Sequence, residues 1–309
     1  MPENRRPIRF LISESPEDFD RKTRLWRKHL QPFLRDYEME ISSETQAAKD
    51  WEVRAYTESF LSWPIRKLEY SYVLERTLDW ITPGCKYLDC GCGVTPTARA
   101  YREMGCESYA CDSSPHLVQL VNEAKYIRDS EVKYSCQDVA HLGFRSGSFD
   151  IVTCVSVLEH LPAGKDALAI SEMVRVLKKG GRLICTVDFS PSTGASVGTT
   201  WSFAPSRFFR MVRRTLWILR NQRGRVRELV GTMLAGRSDD PNAGPYSVDE
   251  LMHRLTGIDA EFVQEPQAGR VPTLAEIQGF WKPYWKDRAD SPGIKVPEYI
   301  AIGFTILKR

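Results

Sequence analysis

Short apolar strands alternate with helical or loop segments from residue 86 to residue 187, and this alternation restricts the possible folds most. The pattern predicts strands at 86–89, 108–112, 132–136, 151–155 and 182–187. Strand, helix, strand repeats of this kind imply parallel strands joined by right-handed crossovers. We therefore expect an α/β fold with a doubly wound sheet.

The flanking sequence divides the chain into four parts. Residues 1–63 are predicted to be an N-terminal helical accessory region, in which Pro32 interrupts a helical pattern. A core at 64–188 begins with a helix from Pro64 to about Ile81. An insertion at 189–245 interrupts the alternation. Residues 246–309 are expected to complete the sheet, with Ser247 as a helix N-cap, a strand near 261–264 and a last strand at 299–307.

Composition indicates a globular protein. Hydrophobic residues make up 42% and charged residues 27% of the 309 residues, and no apolar run approaches the roughly 20 residues that span a bilayer. The apolar run after Pro7 is too short for a secretory signal, so the chain is expected to be cytoplasmic. All eight cysteines lie between Cys85 and Cys185 without a CxxC pair, which favours reduced, packed cysteines and no metal site.

The first predicted strand ends in a turn with two spaced glycines, Gly91 and Gly93, within the sequence YLDCGCG. Glycine allows a positive φ and lets the backbone pass close to a ligand, and Thr95 and Pro96 can cap and start the next helix. A lone GxG is equally common in structural turns, so the turn alone does not decide between a ligand site and a packed loop.

Carboxylates follow at the ends of the next two strands. Asp112 stands 19 residues after Gly93, where a carboxylate can accept hydrogen bonds from a ribose diol, although an N-cap role is an alternative. Asp138 follows the third strand and is placed to accept from an adenine amino group, with Val139 packing on the ring. A fourth strand, FDIVTCVSVLEHL, opens towards the same sheet edge. The ordered set favours an adenosyl ligand.

The sequence resembles the class I S-adenosylmethionine-dependent methyltransferases, especially the small-molecule group that includes ubiquinone-pathway enzymes. The resemblance rests on five motifs, which are LDCGCG, CD at 111–112, QDV at 137–139, FDIVTCVSVLEHL and EMVRVLKKGGRL. It covers residues 66–188 well and 246–309 loosely. It implies a Rossmann-like, seven-stranded sheet whose last strand is antiparallel.

The resemblance also assigns a cofactor and its binding residues. S-adenosylmethionine is expected, with Asp89, Gly91 and Gly93 around its methionine part, Asp112 on the ribose, and Asp138 with Val139 on adenine. Other residues expected to line this pocket are Cys90, Cys92, Ser113 and Val155.

Thr95 departs from the family, which often has glycine there, and should tighten the space near the amino-acid tail. A dehydrogenase fingerprint would require glycine at Pro96 and fits less well.

Glu159 and His160 are the candidate catalytic residues. They lie just beyond the fourth strand, where the methyl group should project, and His160 could deprotonate an acceptor or bind a metal ion with Glu159. A capped, half-buried turn is the structural alternative.

A basic amphipathic stretch at 207–237 carries nine arginines against one acid, Glu228, whereas the whole chain is only +3. It could be surface charge, a substrate lid over an anionic acceptor, a contact with an anionic membrane beside a lipid-linked acceptor, or a nucleic-acid contact. We favour the lid. Nucleic acid ranks lower, because the aromatic residues do not alternate with basic ones as stacking platforms would.

These features predict an enzyme that moves a methyl group to a small-molecule acceptor, with oxygen as the expected acceptor atom. The alternatives are a catalytically silent S-adenosylmethionine-binding scaffold and an RNA methyltransferase.

Overall fold

A mixed eight-stranded sheet forms the centre of the protein. The computed structural model describes residues 7–33, 63–123, 131–162, 164–191, 245–256, 258, 260–265, 270–289 and 297–309. The strands are β1 (Ile8–Leu11), β2 (Lys86–Cys90), β3 (Glu107–Asp112), β4 (Lys133–Cys136), β5 (Phe149–Val155), β6 (Leu177–Phe189), β7 (Glu261–Phe262) and β8 (Ile300–Leu307).

Eight α-helices accompany these strands in the described ranges. They are α1 (Pro16–Lys22), α2 (Arg24–His29), α3 (Pro64–Thr77), α4 (Thr97–Glu103), α5 (Pro115–Glu123), α6 (Lys165–Val176), α7 (Val248–Leu255) and α8 (Leu274–Ala289). Short 3₁₀ turns occupy Leu78–Trp80 and Leu158–His160.

The strand order is β1-β8-β6-β5-β2-β3-β4, with β7 also paired to β8. Strands β4, β3, β2, β5 and β6 are parallel, whereas β8 is antiparallel to β6. The helical segments between the parallel strands supply the crossovers that such pairing requires. The expected doubly wound sheet with an antiparallel last strand is confirmed.

The N-terminal strand β1 was not foreseen. Its four residues pair antiparallel with the outer edge of β8, so the sheet has eight strands where seven were expected. The run was too short and too close to the N-terminus to be recognised as a strand. Helix α8 was also missed, because Gly279 and Pro283 interrupt its apolar pattern.

Helix α3 packs against the central strands of the sheet and carries polar side chains into the buried interface. It packs across β5, β6 and β8 and buries most of its length. Three polar side chains, those of Glu69, Ser71 and Thr77, lie within its buried surface. The predicted helix from Pro64 to Ile81 is therefore present, but its last turn is the separate 3₁₀ segment.

The C-terminal part joins the same sheet. Ser247 caps α7 by accepting a hydrogen bond from the Glu250 backbone N–H at 3.2 Å, as its position predicted. The basic stretch 207–237 and most of the 189–245 insertion lie outside the described residues, as do residues 34–62. The proposed domain boundaries stay predictions. No helix in the described ranges has the length and apolarity needed to cross a membrane.

Candidate active site

Four adjacent strands are aligned in register near the carboxyl ends of β2, β3 and β5, and β6 continues beyond that level to Phe189. Parallel pairing places Cys111, Cys90, Cys154 and Cys185 in one row across β3, β2, β5 and β6. All four are buried free thiols, so they act here as small apolar residues. The residues that follow this row therefore emerge together at a single sheet edge.

The Gly91–Gly93 turn is tied to the end of β3. The backbone N–H groups of Gly91 and Cys92 donate to the Cys111 carbonyl at 2.8 and 3.0 Å, and Gly93 N–H donates to Asp112 Oδ2 at 2.9 Å. Both glycines have positive φ, +71° and +51°. This geometry brings the turn and the first predicted carboxylate into direct contact.

Asp89 is a buried carboxylate directly beneath this turn. It is 3% exposed and accepts a hydrogen bond from Thr153 Oγ1 at 3.0 Å, and Thr153 in turn bonds to the Tyr87 hydroxyl at 2.6 Å. Burial raises the pKa of Asp89 to about 7; the Thr153 hydrogen bond opposes this shift and repulsion from Asp112 adds to it. Asp89 is thus poised to ionise when a cation approaches.

Asp112 caps the loop after β3. Its Oδ1 accepts from Ser114 N–H at 2.9 Å, and burial raises the pKa of its carboxyl despite the backbone N–H donors around it. The N-cap of α5 is Ser114, whose Oγ accepts from the Leu117 N–H at 3.3 Å, so Asp112 is not the helix cap. Backbone N–H groups of Gly93, Ser113 and Ser114 donate to this carboxylate, which leaves one of its four lone pairs for a ribose hydroxyl. Ser113 is exposed at the same edge.

Asp138 lies in the loop after β4. Its Oδ1 accepts from Ala140 N–H at 3.0 Å, and Lys165 Nζ at the start of α6 lies 2.7 Å from Oδ2, which lowers the pKa of the carboxyl although burial opposes the shift. Val139 beside it is buried. The backbone bond Gln137 N–H to Asp112 O, 2.9 Å, joins this loop to the end of β3.

Beyond β5 the chain enters a tight turn fixed from α3. Ser156 has φ +50°, and its hydroxyl donates to the buried Glu69 carboxylate at 2.5 Å. Glu69 also accepts from the Thr186 hydroxyl at 2.7 Å and from Arg66 at 2.7 Å. The helix that precedes the alternation therefore sets the conformation of the segment carrying Glu159 and His160.

Glu159 and Asp188 meet at this turn. Glu159 is 2% exposed, and its Oε1 accepts from the Asp188 backbone N–H at 3.1 Å. Within the described residues, Glu159 Oε2 and Asp188 Oδ1 are buried without a hydrogen-bond partner. Burial raises the pKa of both carboxyls; repulsion from Glu69 adds to the shift of each, and repulsion from Glu159 adds to that of Asp188.

His160 lies beside this pair with its side chain exposed. Surrounding protein removes part of the hydration of its imidazole and lowers its pKa, which Asp188 partly offsets. The neutral form is thus favoured near pH 7. No group of three or more His, Cys, Asp or Glu side chains that could hold a metal ion occurs among the residues that the structure describes.

Several side chains at this edge of the sheet were not predicted from the sequence. Arg66, Glu69 and Tyr70 come from α3, where only an apolar face was apparent, and Tyr70 forms a side-chain hydrogen bond with Thr95. Asp188 directly precedes the last residue of β6. The rule that selected Asp112, a carboxylate at the carboxyl end of a predicted strand, would also have selected Asp188.

Residues 88–185 match the family model described as "Methyltransferase domain". The match spans β2 to β6 and contains the glycine turn, Asp112, Asp138 and the Glu159 turn. Residues 88–185 thus belong to the methyltransferase domain family that this model describes. The predicted family is thereby confirmed for this part of the chain.

Curated relatives of the methyltransferase domain include ubiquinone biosynthesis O-methyltransferases. That of Xanthomonas campestris pv. campestris is 36% identical over 116 residues, 37% of this chain and 47% of the relative. That of Xanthomonas oryzae pv. oryzae is 33% identical over 114 residues, 36% and 47% of the two chains. The aligned segment thus spans about half the length of the curated relatives that it matches.

Solved structures share the fold over a longer range. The [4+2]-cyclase SpnF covers 97% of this chain and 98% of its own, with 16% identity and a TM-score of 0.51. A geranyl diphosphate methyltransferase in complex with SAM covers 88% and 95%, with 13% identity and a TM-score of 0.51. At these identities the likeness shows the fold alone, and a cyclase among the neighbours illustrates that this fold does not fix the reaction.

Gly91→Ala should destabilise the methyltransferase domain. A Cβ there would overlap the Val157 side chain, in addition to the strain of φ +71°. We expect a loss in free energy of unfolding about 1–3 kcal/mol larger than that of Gly84→Ala. Gly84 is the matched control, because its φ is +79° but no atom lies within 4 Å of its Cβ position. Urea denaturation measures the free energy of unfolding of both variants.

Val157→Ala should relieve the overlap, so a double-mutant cycle should show favourable coupling between Gly91→Ala and Val157→Ala. Equal losses for the two glycine variants, or additive effects in the cycle, would contradict the close packing of Val157 on the turn.

Proposed function

We propose that the protein is an S-adenosylmethionine-dependent methyltransferase that methylates an oxygen atom of a small molecule. The supporting observation is the bond between the Gly93 backbone and the Asp112 carboxylate within the matched domain, which joins the glycine turn to the first carboxylate at one sheet edge. The oxygen acceptor is supported by the O-methyltransferases to which residues of this domain are similar.

The residues at the edge fit a positively charged adenosyl cofactor. Asp89 and Asp112 are close enough to repel each other, and burial raises the pKa of both. A sulfonium and an ammonium group would relieve this repulsion, because an opposite charge favours the ionised form of a carboxyl. At Gly91 the absence of a Cβ makes room for the Val157 side chain and allows the positive φ, which fixes the turn beside the two carboxylates.

Each predicted binding residue has a role in this proposal. Asp89 and the Gly91–Gly93 turn would hold the amino-acid part, Asp112 with Ser113 the ribose, and Asp138 with Val139 the adenine ring. Cys90, Cys92 and Val155 would supply apolar walls, which suits their burial or partial burial. Lys165 leaves the Asp138 carboxylate with lone pairs for an amino group.

The cofactor supplies an electrophilic methyl group that a nucleophile displaces in line. The residues of this chain would hold the acceptor in a near-attack position and exclude water, which supplies much of the rate gain in such transfers. His160 is neutral at pH 7 and exposed in the turn after β5, and it would remove a proton from a hydroxyl acceptor. Ser156 and Glu69 hold the turn that carries it.

The basic insertion would act as a lid on the acceptor side. Its two ends lie at this edge, since Tyr246 N–H donates to Asp188 O at 2.9 Å and Ser190 N–H donates to Tyr246 O at 3.2 Å. An acceptor with an anionic or lipid-linked portion away from the reacting oxygen would suit the arginines at 207–237.

Label transfer from methyl-labelled S-adenosylmethionine to fractions of a cell extract tests the proposed activity. We expect labelled small molecules that survive nuclease treatment. Asp112→Ala should weaken cofactor binding by about 1–3 kcal/mol through lost ribose hydrogen bonds and reduce labelling. Glu107→Ala, at the opposite end of β3, is the matched control and should leave cofactor affinity and labelling unchanged.

Binding without label transfer would indicate a silent cofactor-binding scaffold instead of an enzyme. A nuclease-sensitive product would identify an RNA methyltransferase. Unchanged calorimetric affinity in Asp112→Ala would remove Asp112 from the site.

Cofactor affinity should rise with pH between 6 and 8. Asp89 has a pKa of about 7 in the free protein, and a bound cation would lower it, so binding releases a proton below pH 7 and gains nothing further once Asp89 is ionised. Calorimetry in buffers of different ionisation enthalpy measures the proton release.

Asp89→Asn is the control for this pH dependence. The amino group of the cofactor titrates near pH 8 as well, and the Asn variant isolates that contribution from the share of Asp89. Identical pH profiles for the two proteins would contradict a cation above Asp89.

A further inference from the structure

Two cysteines, Cys85 and Cys106, are in contact at the end of the sheet opposite the glycine turn. Their sulfur atoms lie 2.7 Å apart, and both residues are free thiols. Neither residue belongs to the candidate active site. Because two thiols in contact are joined by the removal of one hydrogen atom from each, the pair is suited to form a disulfide bond.

The backbone holds the two cysteines side by side. Cys85 directly precedes β2 and Cys106 directly precedes β3, and the first residues of these two strands are paired. The Glu107 N–H donates to the Cys85 carbonyl at 2.7 Å. The Gly84 N–H donates to the Gly105 carbonyl at 3.0 Å, so the parallel register extends one position before the strands. Neighbouring parallel strands lie about 4.8 Å apart and paired residues point to the same face, a spacing within the Cα range that a disulfide requires.

The pair lies close to the surface of the protein. Cys85 is 5% exposed, whereas Cys106 is fully buried. Each follows an exposed glycine, Gly84 or Gly105, which has a positive φ and open space beside its Cβ position among the described residues. Local opening of such turns requires less free energy than global unfolding and gives a small oxidant access. Burial raises the pKa of the Cys106 thiol, so Cys85 is expected to react first.

The other cysteines are less suited to this reaction. Four of them form the buried row across the sheet and have no exposed surface. Cys136 is exposed on β4, but its thiol donates to the Ser113 carbonyl at 3.7 Å. The Cys85–Cys106 pair combines a thiol–thiol contact with partial exposure of one member.

We infer that Cys85 and Cys106 form a reversible disulfide when the protein meets a hydroperoxide, which makes this end of the sheet an oxidation site. The inference goes beyond the proposed methyltransferase function and does not depend on it. The two cysteines are 21 positions apart in the sequence. The bond would therefore close a loop that contains β2, the glycine turn and α4.

The reaction balances with hydrogen peroxide as the oxidant. The Cys85 thiolate attacks one peroxide oxygen and the O–O bond breaks, which gives a sulfenic acid on Cys85 and a hydroxide that takes up the thiol proton as water. The Cys106 sulfur then attacks the Cys85 sulfur, the S–O bond breaks, and the hydroxyl leaves with the Cys106 proton as a second water. Two thiols lose two electrons, and one peroxide is reduced to two waters. Contact between the sulfurs makes the second step intramolecular and favours it over further oxidation.

Peptide mapping after mild oxidation tests the inference. Trypsin places Cys85 in peptide 77–86 and Cys106 in peptide 103–125. The folded protein is treated with hydrogen peroxide, and its remaining thiols are then alkylated. We expect these two peptides to be joined about tenfold more often than any other pair of cysteine peptides, because their thiols are already in contact. Dithiothreitol should separate them again by thiol–disulfide exchange.

Serine variants identify the cysteines that are joined. Peptide 103–125 also contains Cys111. The link between the peptides should therefore disappear in Cys106→Ser and in Cys85→Ser, and it should persist in Cys111→Ser. Cys136→Ser, which removes an exposed thiol outside the pair, is the matched control and should keep the link. The wild-type map needs no variant and stays informative if a variant fails to fold.

The disulfide should stabilise the protein and leave the cofactor site unchanged. The midpoint of thermal unfolding should rise by about 4–8 °C on oxidation of the wild type and of Cys136→Ser, because the bond restricts the unfolded chain, and it should not rise in Cys106→Ser. The affinity for S-adenosylhomocysteine should stay within about twofold, since the glycine turn and Asp112 lie at the opposite ends of β2 and β3.

Three results would overturn the inference. They are unjoined peptides 77–86 and 103–125 after peroxide treatment of the folded protein, a link that survives Cys106→Ser, and a link that forms only in the unfolded protein. None of these results bears on the proposed methyltransferase function, which cofactor binding and label transfer decide.

Discussion

The level register of β3, β2, β5 and β6 places one buried cysteine of each strand in a single row. Several polar groups of the candidate site follow from that register, because the residues after these strands emerge at the same edge. Asp112, the Gly91 turn, the Ser156 turn and Asp188 derive from four different segments that the register brings together, and Glu69 of α3 fixes the Ser156 turn.

Burial of carboxyls without matching cations is the second feature of this edge. Asp89, Asp112, Glu159 and Asp188 all have raised pKa values, with burial as the largest cause. Such groups cost free energy in the free protein and become favourable when a cation or donor arrives. Asp89 and Asp112 lie at the glycine turn, and Glu159 and Asp188 meet at the turn after β5.

The sequence predicted the sheet well because strand and helix alternation is a local signal, whereas contacts between distant elements are not. Asp112 and Asp138 were found because the first ends a strand and the second closely follows one. Glu69 was not, since its role depends on α3 packing across β5 and β6, which the helix sequence does not reveal. Strand β1 was not predicted either, because its four residues form a strand only by pairing with β8, some 290 residues later in the chain.

A crystal structure of the protein with S-adenosylhomocysteine tests the central claim most directly. The account predicts the adenosyl group against the Gly91–Gly93 turn, with ribose hydroxyls at about 2.7–3.2 Å from the Asp112 carboxylate. Density for the ligand at another surface, or an edge filled by side chains when the ligand is saturating, would contradict it.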